Sequence, residues 1–135
     1  MDADIVCTAT VSATPVFDDA DMPPGAHINA IGSYKPHVQE IPSATVARAR
    51  VVVDHRAGAL EEPGDLLIPI AQGLFSPEGI HAEVGEILLG LKSGRSDAAE
   101  ITLYKSVGVA VQDLAAASVA LDRAEQLGIG SSVQL

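Results

Sequence analysis

Strand-like and helix-like stretches alternate along this chain, and the alternation predicts an α/β fold with a parallel sheet. Composition agrees. Hydrophobic residues make up 47% of the sequence and aromatic residues only 3%, so the core has to be built from Ala, Val, Ile and Leu. Such a core suits buried parallel strands under small-residue helices. A third observation is the stretch Gly25 to Pro36, a short apolar strand that stops at Gly32 and opens into the polar Ser33-Tyr34-Lys35-Pro36. In an open parallel sheet, ligands bind in the crevice beyond the carboxyl ends of the strands. A glycine there lets backbone approach a ligand where a Cβ would intervene. We read the chain as half of a nucleotide-binding domain, with 135 residues giving it one domain and a real core.

Ile5 to Thr10 is apolar and β-rich and predicts the first strand. The hydroxyls of Thr8 and Thr10 at its carboxyl end suit either a ribose or phosphate contact or plain strand composition. Ser12 to Gly25 carries clustered Asp and Pro23-Pro24, a solvated surface loop. It lacks the glycine turn and terminal glutamate of a calcium loop. His27 to Ile31 predicts the second strand, with His27 and Asn29 on one side and Ile28 and Ile31 in the core. Ser43 is an expected N-cap for a helix over Ala44 to Ala49. Arg50 to Asp54 is a β-branched third strand. Asp54 and His55 follow each other at its end, and neighbouring strand residues point to opposite faces. Loop anchoring therefore suits them better than an acid–base dyad.

Ala57 to Glu62 predicts a helical turn stopped by Pro63-Gly64. Asp65 to Ile70 contains Pro69 and is expected to be loop or edge. Ser76-Pro77-Glu78 has the signature of a helix start. Ile80, Val84, Ile87, Leu88 and Leu91 follow at helical spacing, with His81 and Glu83 expected in solvent. His81 has Gly85 four residues on, so no paired metal ligand. Ile101 to Gly108 alternates as a strand. The longest helix follows, from Val109 to Leu127, with Val111, Leu114, Ala115, Ser118 and Leu121 as its small-residue stripe and Gly128 as its C-cap. Ser131 to Leu135 predicts a last strand.

Net charge is −10, which argues against nucleic acid and against an anionic membrane surface, because both need a basic face. No run of about 18 apolar residues predicts a membrane-spanning helix. No basic region followed by an apolar run predicts a signal peptide. Cys7 is the sole cysteine and is expected to be a buried thiol, which suits the cytoplasm. A strand three residues from Met1 suggests a chain cut from something longer.

Four blocks then stand in order: Pro24 to Gly32, Val53 to Arg56, Ala82 to Glu86, and Lys105-Ser106-Val107-Gly108 followed by Ala110-Val111-Gln112-Asp113. With these blocks the chain, from about Ala3 to Gly128, resembles the ornithine cyclodeaminase / mu-crystallin family, which includes pyrroline-2-carboxylate and ketimine reductases. The resemblance implies the second half of a Rossmann-like NAD(P)-binding domain over residues 1–95. It also implies a C-terminal strand–helix segment over 96–135 that returns to an absent substrate and dimerisation domain. The phosphate-binding turn is not here. The only Gly-x-Gly is Gly128-Ile129-Gly130, which follows a helix where a dinucleotide turn precedes one. The family's arginine and lysine for the substrate carboxylate are missing as well.

The resemblance further implies that Thr8, Ile31, Gly32, Ser33 and Ser106 lie against an NAD or NADP cofactor and that Val107 touches substrate. Tyr34 falls where ornithine cyclodeaminases carry a catalytic aspartate. A phenol with a pKa of about 10 is a poor base at neutral pH. The resemblance therefore tilts towards the imine reductase branch, with a small amino or imino acid as substrate and a homodimer as the assembly. The competing expectation is a catalytically inactive fragment or a non-enzymatic binding module. Half a Rossmann sheet would leave an edge strand and apolar faces uncovered.

Overall fold

A computed structural model of the chain describes residues 3–133. Its strands are β1 (Ile5–Thr8), β2 (His27–Ala30), β3 (Arg50–Val53), β4 (Ile80–Glu83) and β5 (Thr102–Lys105). They form one sheet in the order β1-β2-β5-β3-β4, and every neighbouring pair is parallel. The helices are α1 (Ser43–Arg48), α2 (Arg56–Ala59), α3 (Gly64–Ala71), α4 (Val84–Leu88) and α5 (Ala110–Leu127). Parallel strands need crossover connections, and the loops and helices between strands supply them. β5 lies within residues 96–135, yet its neighbours are β2 and β3. The division at residue 95 therefore passes just before the central strand of the sheet.

Register places Ile28, Leu103 and Val51 in one row, and Ala30, Lys105 and Val53 in the next row on the same face. This face packs with Val46 of α1, Ala59 of α2 and Leu66 of α3 to make the core. The opposite face carries His27, Asn29, Arg50, Val52, Thr102 and Tyr104, which with Val84 and Ile87 of α4 line a hollow of about 340 Å³. Cys7 belongs to the exposed part of the structure, so the expected buried thiol is not found. Its parity in β1 sets it on the less covered face.

Several sequence expectations are corrected. Ile31 lies one residue past β2 and is 47% exposed; Ala30 takes the core position instead. Ser43 is inside α1 and Pro42 holds the cap position; the Ser43 hydroxyl accepts from Gln39 Nε2 at 2.9 Å. The Asp65–Ile70 stretch is helical despite Pro69. A proline in a helix removes one hydrogen bond and crowds the turn before it. Here Leu66 and Pro69 are buried and α3 lies against α1, and tertiary packing overrides the local penalty.

The expected helix after Ser76 is three short pieces. A 3-10 turn at Pro77–Gly79 leads into β4, and only then does α4 begin. Ile80 and Ala82 are both buried at alternating positions, which is the strand period. The helix start is a capping box: Glu86 Oε2 accepts from the Glu83 amide at 2.8 Å, and the Glu83 side chain accepts in return. His81 and Glu83 are half-buried, not solvated. His81 Nε2 lies 3.0 Å from Arg50 Nη1, and Glu83 accepts from the Arg56 amide at 2.7 Å. β1 ends at Thr8, two residues early. α5 and its left-handed cap at Gly128 (φ 63°) fall where expected, but its stripe is open, with Val111, Leu114 and Leu121 each more than 60% exposed. Residues 131–133 form no strand, and the rest of that expected strand lies outside the described residues.

Candidate functional site

The carboxyl ends of β1, β2, β3 and β5 share one edge of the sheet, and two carboxylates organise it. Glu40 comes from the loop before α1 and is fully buried. Its Oε2 accepts from the Thr8 hydroxyl at 3.0 Å, the Gly32 amide at 2.8 Å and the Ser33 amide at 3.1 Å. Its Oε1 accepts from the Thr10 amide at 2.6 Å. Burial works to raise the Glu40 pKa, but the hydrogen bonds from Thr10, Thr8 and Gly32 outweigh it and hold the carboxyl below its ordinary value. Glu40 thus ties the loop after β1 to the loop after β2.

Asp54 does the same for β3 and β5. Its Oδ2 accepts from the Ser106 hydroxyl at 2.8 Å, the Val107 amide at 2.9 Å and the Gly108 amide at 2.8 Å, while Oδ1 accepts from the His55 amide. His55 turns away and caps α2 by accepting from the Gly58 amide. The two side chains diverge, and loop anchoring is what Asp54-His55 provides.

Beneath this edge lies a charge pair that the sequence reading did not pick out. Lys105 and Asp65 are fully buried, with Nζ 3.2 Å from Oδ2. Lys105 also donates to the Ala30 carbonyl at 3.1 Å. Asp65 Oδ1 accepts from the amides of Glu40 and Ile41. Burial pushes Lys105 down and Asp65 up, and their mutual attraction opposes both shifts. One signal was present. Strand alternation puts Lys105 on the same face as Leu103, so a cation was directed at the core. Nothing in Glu40-Ile41-Pro42 announces that Glu40 is buried.

The residues expected at a cofactor do gather at this edge, with their polar groups turned inward. The hydroxyls of Thr8 and Ser106 go to Glu40 and Asp54, and that of Ser33 goes to the Val38 carbonyl at 2.7 Å. Gly32 is required by close packing: a Cβ there would collide with the Thr10 carbonyl and the Glu40 carboxylate. Ile31 is exposed and Val107 half-buried. Tyr34 is 55% exposed, and the Lys35 ammonium sits 5.3 Å from the centre of its ring. Thr10, Val11, Ser12, Gly32, Tyr34, Lys35 and Val38 line a cleft of about 120 Å³. This cleft is smaller than the hollow on the sheet face, but it lies at the strand ends, where α/β folds bind ligands.

The ornithine cyclodeaminase/mu-crystallin family model matches residues 1–128. The chain belongs to that family. A Delta(1)-pyrroline-2-carboxylate reductase of Bacillus cereus is 46% identical over 134 residues, covering 98% of this chain and 41% of that protein. The structure of Thermococcus litoralis Delta(1)-pyrroline-2-carboxylate reductase in complex with NADH and L-proline superposes with a TM-score of 0.91 at 39% identity. It covers 98% of this chain and 41% of that one. An archaeal alanine dehydrogenase dimer with bound NAD matches with a TM-score of 0.86 at 35% identity, again over 98% and 41%. The chain thus spans about two fifths of the length of these family members. Among the described residues, no helix is long and apolar enough to cross a membrane.

Proposed function

We propose that this chain forms the nicotinamide-facing wall of an NAD(P)-dependent reductase that acts on a small cyclic imino acid such as pyrroline-2-carboxylate. One observation carries the reading. Among the described residues, the lining of the strand-end cleft contains Tyr34 and Lys35 and no carboxylate. Glu40 is sealed below it and Asp54 is engaged with four donors. Ornithine cyclisation needs a base for the substrate amine, and the lining of this cleft offers no free acid. Imine reduction does not make that demand. The similarity to the two pyrroline-2-carboxylate reductases supports the same choice.

The edge suits an uncharged part of the cofactor, because its backbone amides and hydroxyls are already bonded to Glu40 and Asp54. When bound, the cofactor supplies a hydride to the imine carbon while the ring nitrogen takes a proton. This chain's share is to hold the wall rigid through Glu40 and Asp54, to set Ile31 and Val107 against the rings, and to exclude water. The diphosphate and the substrate carboxylate are held by groups outside the described residues. In this reading the domain that holds the sheet extends through Gly108, α5 returns to a substrate domain, and the complete protein is a cytoplasmic dimer.

A second reading, a non-enzymatic interaction module, is favoured by the open stripe on α5. Two measurements decide. Fluorescence titration of the purified chain with NADH and NADPH tests the wall directly, and saturable micromolar binding would sink the inert-module reading. A chimera joins the chain to the part of the Bacillus cereus relative outside the matched region. It is expected to reduce pyrroline-2-carboxylate, and no turnover with that substrate would remove the proposed one.

A further inference from the structure

Glu40 accepts four hydrogen bonds at the strand-end edge and is fully buried, yet the family resemblance gives it no role. Two consecutive amides, Gly32 and Ser33, converge on its Oε2, and the Thr10 amide meets Oε1. Consecutive backbone N–H groups converging on one point form a nest that binds anions. Here the anion is a side chain of the protein itself, fully buried. We propose that Glu40 is a built-in anion. By filling this nest, it closes the carboxyl ends of β1 and β2 to phosphate and leaves a wall for the uncharged nicotinamide ribose.

Three features support this. The nest has no donor to spare, since the Thr8 hydroxyl also points at Glu40. A phosphate in the neighbouring cleft would stand against the Glu40 carboxylate behind the Gly32 wall, and like charges repel. Asp54 repeats the device on the other side of the crevice, filling the Val107 and Gly108 amides. The assignment of the uncharged segment to nicotinamide ribose rests on the reductase reading; the filled nest does not.

The test follows the amides of Thr10, Gly32 and Ser33 by NMR in the 135-residue chain. Titrating inorganic pyrophosphate into the wild-type chain is expected to leave all three unmoved. Saturable shifts there would overturn the proposal. Glu40→Ala empties the nest, and formate, a small carboxylate, is expected to shift the same three amides saturably and raise the melting temperature. A folded Glu40→Ala chain that ignores formate would also overturn it. Glu40→Gln keeps the volume but replaces one acceptor by an amide NH₂. Exchange of the amide that loses its acceptor should quicken roughly tenfold, and unchanged exchange at all three would count against the filled nest. An inactive chimera would fault the reductase reading and leave these amide results standing.

Discussion

Lys105 Nζ and Asp65 Oδ2 pair at 3.2 Å with neither side chain exposed to solvent. The pair links the central strand β5 to α3, and through Asp65 Oδ1 it reaches the backbone of Glu40 and Ile41. Replacing Lys105 by Met leaves the Asp65 carboxylate buried without its counter-charge. The expected cost is about 3–5 kcal/mol, the usual result of breaking one side of a buried pair. Urea unfolding of the two chains measures it. Asp65→Asn keeps an acceptor for the two amides and should cost less than Asp65→Ala.

Asp54→Ala removes the acceptor for Ser106, Val107 and Gly108 together. A loss of about 2–3 kcal/mol is expected, since buried donors are left unpaired. The local signature is faster hydrogen exchange at Val107 and Gly108, with the amides of β1 unchanged. Uniform acceleration across the sheet would show that Asp54 does no more than support global stability.

Gly32→Ala tests close packing at the same edge. The new methyl meets the Thr10 carbonyl and Glu40, neither of which can retreat without breaking the nest. Overpacking of this kind costs about 1–3 kcal/mol. The melting temperature should fall, and the Thr10 amide resonance should move.

Acid stability depends on Glu40. Its folded pKa lies below the unfolded value, so the folded state binds fewer protons and Glu40 stabilises the fold above the unfolded pKa. That contribution disappears as pH falls through the folded pKa. Asp19 and Glu100 act in the same direction, whereas Asp65, raised by burial, acts in the opposite one. Stability against pH, compared between wild type and Glu40→Gln, isolates the Glu40 share. The variant should show a flatter acid limb; identical slopes would exclude it.

Tyr34 offers a test of reaction type in the chimera. It is exposed, with Lys35 over its ring. Tyr34→Phe should leave reduction of pyrroline-2-carboxylate intact, because the proposed chemistry does not use the phenol as a base. Tyr34→Asp places a carboxylate in the cleft and should introduce release of ammonia from ornithine. Loss of imine reduction in Tyr34→Phe would make the phenol part of the chemistry.

The central strands are readable because Val51-Val52-Val53 is β-branched and Ile28-Asn29-Ala30 alternates, patterns that fit a pleated, buried surface. α3 is not legible in the sequence because proline is a local signal and its toleration depends on burial against α1. β4 was hidden because Ile80, Val84 and Ile87 also fit helical spacing, and four residues are too few to show a period of two. At the site, the cluster of expected residues was legible from motif order. The inward turn of Thr8 and Ser106 is not legible, because their partners Glu40 and Asp54 lie 32 and 52 residues away along the chain.

The position of β5 bears on how the chain acquires its shape. Among the described residues it is the last strand in sequence, and it lies between β2 and β3. Until residues 102–105 leave the ribosome, β2 and β3 lack the strand that joins them, and β1–β2 and β3–β4 stand as separate pairs among the described strands. Each pair then exposes an unprotected edge to other nascent chains. Lys105, Ser106 and the loop that closes onto Asp54 arrive at the same moment. Closure of the sheet and assembly of the crevice wall are therefore one late event during synthesis.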